Sequence, residues 1–140
     1  CIRDSNMGAA MAPAALDTLI THLTDTGRKP SYYDAIITGD LGHVGKDILI
    51  ELAQTKGYNI KSNYNDCGVL IFDKETQDTH SGGSGCACCG TVFSGYLFNM
   101  LQTKKYKKIL LIATGALMNA TSSQQGESIP GIAHAISIEV

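Results

Sequence analysis

Asp34-Ala35-Ile36-Ile37-Thr38-Gly39-Asp40-Leu41-Gly42 sets the architecture of this chain. A short apolar run, the length of a buried strand, enters a turn bounded by two glycines. The residues beyond it, Val44 to Thr55, are apolar at Val44, Ile48, Leu49, Leu52 and Ala53. That spacing predicts an amphipathic helix, which Lys56-Gly57 closes. A strand, a turn and a helix in succession are one unit of an α/β fold.

Working outward, the same alternation continues. Upstream, Met11, Ala15, Leu19 and Leu23 recur every four residues in an alanine-rich segment. They predict a helix over 7–23, with Pro13 either in the first turn of a helix starting near Ala12 or as a kink in a longer one. Thr26-Gly27-Arg28-Lys29-Pro30 ends it. Downstream, Val69-Leu70-Ile71-Phe72 reads as a third strand or extended segment. Val92, Phe93, Tyr96, Leu97, Met100 and Leu101 place one apolar face on a helix over 84–102. Strands are expected at 108–114 and 131–139. The order α-β-α-(β)-α-β-β implies helices on both faces of a mixed, mostly parallel sheet that ends in an antiparallel pair. The strands ending at Thr38 and beginning after Lys107 should share that sheet.

Composition narrows the function classes. The chain has 140 residues, 44% hydrophobic and 17% charged, enough for one globular domain spanning 1–140. A net charge of −2 gives no basic surface for nucleic acid, so no nucleic acid partner is expected. Lys104-Lys105-Tyr106-Lys107-Lys108 reads as a solvated loop, with an anionic membrane surface or an acidic partner as the alternative. No apolar run approaches the ~20 residues of a membrane span, which leaves the protein soluble or peripheral. Cys1 stands in place of an initiating methionine, so the chain is expected to begin inside a longer protein.

Five cysteines are present, and Cys86, Cys88 and Cys89 lie close together. The Cys86-x-x-Cys89 spacing raises zinc and redox chemistry. Zinc needs about four ligands, and only His80 and Cys67 stand ready to complete a set. The expected role is buried, unbridged filler at a helix start, with no metal and no cofactor.

The segment that carries chemistry is Gln77-Asp78-Thr79-His80-Ser81-Gly82-Gly83-Ser84-Gly85-Cys86-Ala87-Cys88-Cys89-Gly90. A histidine precedes a turn of small residues and a helical pattern. The layout aims an imidazole and the N–H groups of Gly83, Ser84 and Gly85 at one point, where a carboxylate or carbonyl can sit. The alternative is that His80 holds the turn and the glycines permit close packing. Asp40 is a polar site residue or, by its preference for that position, the N-cap of the helix after it. His43 reads as a surface or capping residue, and His134 as a core or edge residue of the last strand.

The order His-x-x-Gly-x-x-Gly, shortened by one residue, resembles the turn of the thiolase and ketosynthase superfamily. Over nearly the whole chain the sequence resembles one branch of it, the stage V sporulation protein AD family. The segments that carry the resemblance are Met7 to Ala15, Thr38-Gly39-Asp40-Leu41-Gly42, Tyr64-Asn65-Asp66-Cys67-Gly68, His80 to Cys88, Ala113-Thr114-Gly115-Ala116-Leu117 and Gln124 to Ala135. The resemblance implies the C-terminal half of a thiolase-like fold, minus its first strand. Taken alone, such a half is expected to be marginally stable, with an unpaired strand edge and an exposed docking face.

It further implies a protein that binds dipicolinic acid (pyridine-2,6-dicarboxylic acid) and supports its uptake, with calcium, into the developing spore. The implied partners are the other stage V sporulation A membrane proteins, the N-terminal half of the same protein, and a second copy in a homodimer. The implied location is the cytoplasm or the periphery of the spore inner membrane. Condensing-enzyme chemistry fits less well. Gly39 stands where a ketosynthase keeps a histidine, and Ile129-Pro130-Gly131 stands where a thiolase keeps a Cys-x-Gly proton donor. Of three polarising groups in this half, only His80 remains. The expected ligand residues are therefore His80, Gly83, Ser84, Gly85 and Asp40, with no catalytic residue. An active thiolase- or ketosynthase-type acyltransferase and a structural dimerisation half are the alternatives.

Overall fold

The computed structural model of the chain describes residues 7–77, 79, 85–117 and 129–140. Helix α1 spans Met7–Thr26, strand β1 Ala35–Thr38, helix α2 Gly42–Thr55, strand β2 Tyr64–Asp66 and helix α3 Cys67–Ile71. A longer helical run follows: α4 (Cys88–Val92), a π-helical turn over Phe93–Leu97, and α5 (Phe98–Gln102). Strands β3 (Lys108–Ala116) and β4 (Gly131–Glu139) complete the described elements.

The four strands form one sheet in the order β2-β1-β3-β4. β1 runs parallel to both neighbours, with Ile36 opposite Tyr64 on one side and Leu110 on the other. β3 and β4 are antiparallel, with Leu111 opposite Ile136. Alternation along the strands feeds two cores. Ile36, Leu110 and Ile112 pack with Met11, Ala15, Leu19, Leu23, Leu49 and Ala53 of α1 and α2. Ala35, Ile37, Ile109 and Leu111 pack on the opposite face with Cys67, Cys88, Val92, Leu97 and Leu101. Each large aliphatic side chain buried in this way contributes about 1.5–3 kcal/mol. All of β1 is buried because helices cover both of its faces. The mostly parallel α/β sheet read from the sequence is the one observed.

Several local expectations are corrected. Residues 69–72 do not form a strand; Val69 to Ile71 belong to α3, and the strand lies just before it at Tyr64–Asp66. Asp66 decides this, because its side chain accepts the Gly68 N–H and starts a helix there. The helix expected from Ser84 starts at Cys88, since Gly85 has φ +90°, a conformation that L side chains rarely adopt and that no α-helix contains. Tyr96, assigned to the buried face of that helix, is exposed. Pro13 lies inside α1, so the longer of the two expected helices is the one formed. In α2 the buried line is Gly42, Gly45, Leu49 and Ala53, and Val44 faces solvent.

Candidate functional site

β1 and β3 run in the same direction, so their carboxyl ends open at the same edge of the sheet. Ligands of open parallel sheets bind at that edge. There the chain leaves β1 through Gly39 and Asp40 and passes against Thr114 of β3. A Cβ on Gly39 would lie 2.9 Å from the Thr114 nitrogen and 3.2 Å from Thr114 Oγ1. A side chain such as histidine has no room at position 39 in this packing. A cleft of about 150 Å³ opens beside it, walled by Met7 and Met11 of α1, Asp40, Thr114 to Ala116, and Gly85, Cys86 and Cys89.

Asp40 and Gly85, both expected site residues, meet in this cleft. The Gly85 N–H donates to Asp40 Oδ2 at 2.5 Å, and the Asp40 N–H donates to Thr114 Oγ1 at 3.2 Å. The Gly85 N–H is thus engaged by the protein's own carboxylate. Asp40 is not the N-cap of α2; Leu41 occupies that position. The bonds expected of a cap come from Asp66 instead, which accepts the N–H of Leu41 at 2.8 Å and of Gly42 at 3.0 Å. His80, Gly83 and Ser84 lie outside the described residues.

Behind the cleft is a polar centre that the residue pattern did not reveal. Thr38 and Asp66 are fully buried. Thr38 Oγ1 donates to Asp66 Oδ1 at 2.6 Å and lies 2.8 Å from Tyr64 Oη. Burial pushes the Asp66 carboxyl up, while the bonds from Thr38, Leu41, Gly42 and Gly68 pull it down. Burial also pushes the Tyr64 phenol well up, so it remains a neutral hydroxyl. The available signal was the capping preference of Asp at position 66, two residues before Gly68.

The four described cysteines form no disulfide and differ in exposure. Cys67 and Cys88 are buried, Cys89 is half-buried, and Cys86 is exposed, contrary to the expectation of a buried trio. Cys67 of α3 and Cys89 of α4 lie in the same apolar cluster. Interaction with Cys89, then burial, pushes the Cys67 thiol up, and interaction with Cys67 holds the Cys89 thiol below its usual value. His43 is the second residue of α2. Its Nε2 is buried and has no hydrogen-bond partner among the described residues, so it is neither a free surface group nor a cap. His134 is exposed on the edge strand β4.

Comparison with known proteins matches these features to one family. The family model described as Stage V sporulation protein AD (SpoVAD) covers residues 2–139. Stage V sporulation protein AD of Bacillus subtilis (strain 168) is 42% identical over 134 residues, which cover 96% of this chain. The aligned region is 39% of that relative, so the chain spans well under half of its length. With the family model spanning nearly every residue and a relative this similar, the chain belongs to the stage V sporulation protein AD family.

Proposed function

We propose that this chain is the part of a sporulation protein that holds dipicolinic acid and supports its uptake, with calcium, into the developing spore. Family membership supports the sporulation role. The observation that carries the ligand reading is the cleft at the carboxyl ends of β1 and β3, bordered by Asp40 and Gly85.

Dipicolinate is a flat ring bearing two carboxylates, so it needs aligned donors and apolar walls. Met7 and Met11 offer the walls. In this reading His80 and the N–H groups of Gly83 and Ser84 meet one carboxylate, and Asp40 holds the chain at Gly85, which follows them in sequence. Asp40 would repel a bare dianion. A calcium ion, which takes carboxylate oxygens, reduces that repulsion when the two travel together.

The same reading assigns the N-terminal half of the protein, a second copy and the other stage V sporulation A membrane proteins as partners. Leu70, Ile71, Tyr96 and Phe98 are exposed apolar side chains suited to such docking. No helix among the described residues is long and apolar enough to cross a membrane, so the reading places the protein at the spore inner membrane through those partners.

Calorimetric titration of the full-length protein with dipicolinate, with and without calcium, tests the reading. Saturable binding is expected. Binding of acetyl-CoA with none of dipicolinate would favour the acyltransferase alternative instead.

A further inference from the structure

Two thiols on different helices share the apolar cluster beside the cleft. Cys67 opens α3 and is fully buried; Cys89 is the second residue of α4, half-buried, and reaches the cleft wall. Both pack in the apolar cluster beneath β1 and β3, where α3 lies against α4, and each thiol influences the titration of the other. Cys86, the other half of the Cys-x-x-Cys spacing, is exposed and also borders the cleft. The dipicolinate reading uses none of these groups.

We propose that Cys89 and Cys67 form a thiol redox site, with Cys89 the peroxide-reactive cysteine and Cys67 its resolving partner. Cys89 opens to solvent through the cleft and Cys67 does not, which fixes the order of events. The Cys89 thiolate attacks one oxygen of a hydroperoxide. The O–O bond breaks, the leaving hydroxide takes up a proton as water, and Cys89 becomes a sulfenic acid. The Cys67 sulfur then attacks the Cys89 sulfur. The S–O bond breaks, and the departing hydroxide leaves as water with the Cys67 proton. The net change is two thiols and one hydrogen peroxide to one disulfide and two waters. The product ties α3 to α4 under the cleft, and a dithiol reductant reverses it.

The test is peptide mapping of the purified, folded protein after exposure to dilute hydrogen peroxide, with free thiols alkylated before denaturation and again after it. The expected dominant product is a Cys67–Cys89 cross-linked peptide, formed while most Cys86 is still alkylatable. In Cys67→Ser the same treatment should leave Cys89 as a sulfenic acid that dimedone traps. In Cys89→Ser, Cys67 should stay reduced. A Cys86–Cys89 disulfide, or oxidation of Cys86 with Cys67 and Cys89 both still free, overturns the proposal. The wild-type map alone decides the matter if either variant fails to fold.

Discussion

Thr38 and Asp66 stand opposite each other in the parallel pairing of β1 with β2, joined by a 2.6 Å hydrogen bond in which the threonine donates. The same carboxylate gathers the N–H groups of Leu41, Gly42 and Gly68. One buried side chain thereby fixes the end of β1, the start of α2 and the start of α3. Removing it strands several buried donors at once, each costing about 1–3 kcal/mol. Asp66→Ala is expected to destabilise the protein by roughly 3 kcal/mol or more, and Asp66→Asn by less, because the amide oxygen still accepts. Urea unfolding followed by circular dichroism measures both; equal stability of Asp66→Ala and wild type would refute the role.

Gly39 is held by space. Its missing Cβ would lie 2.9 Å from the Thr114 backbone nitrogen, a contact that only a shift of β1 or β3 can relieve. Gly39→Ala should cost about 1–3 kcal/mol. Gly90, in α4 with nothing within 4 Å of its missing Cβ, is the control. Gly90→Ala should be neutral or stabilising by up to about 1 kcal/mol, as alanine in a helix generally is relative to glycine. Thermal melts of the two variants side by side give the comparison, and a harmless Gly39→Ala would refute the steric account.

His22 makes folding stability depend on pH. Its Nε2 lies 2.5 Å from Tyr33 Oη, and that oxygen also accepts from Arg28 at 3.0 Å. Burial first, then the Arg28 guanidinium, holds the His22 pKa below its ordinary value, against a smaller opposite pull from Asp25. The folded value is thus below the unfolded one. This contribution is complete above the unfolded value of about 6.5 and is lost as pH falls through the folded value. On acidification from about pH 7.5 to about pH 5 the melting temperature of the wild type should fall further than that of His22→Gln. Parallel pH profiles would count against the assignment.

For the proposed ligand site, His80→Ala in the full-length protein should weaken dipicolinate binding by at least ~1 kcal/mol, the scale of a lost charge-assisted hydrogen bond. Asp40→Asn, whose oxygen can still accept from Gly85 and whose charge no longer repels the dianion, should bind calcium-free dipicolinate no more weakly than wild type. Unchanged affinity in a folded His80→Ala protein would leave His80 with a structural role alone.

The local pattern of the chain was enough for most of the scaffold. Met11, Ala15, Leu19 and Leu23 are all buried on one face of α1, as their spacing requires. Strands β1, β3 and β4 fall where apolar runs are bounded by turn residues; β1 and β3 fill cores that helices cover, whereas Ile132 and Ile136 of β4 are exposed. The turn that carries Gly39 and Asp40 out of β1 was also legible, since glycines and an aspartate at a strand end signal a turn.

What the pattern left undecided needed partners far along the chain. A five-residue apolar run fits strand or helix equally well, and Asp66, by accepting the Gly68 N–H, made Cys67–Ile71 a helix. β2 is three residues long, too short to show alternation, and exists because β1 offers it an edge. Asp40 was a plausible cap by propensity, yet it bonds Gly85, 45 positions away, while Asp66 serves the start of α2. Cys67 and Cys89 likewise come into one cluster only when α3 and α4 pack together. Periodicity and propensity report which face of a segment is buried and how it ends; which polar group meets which is set by the sheet that brings distant segments together.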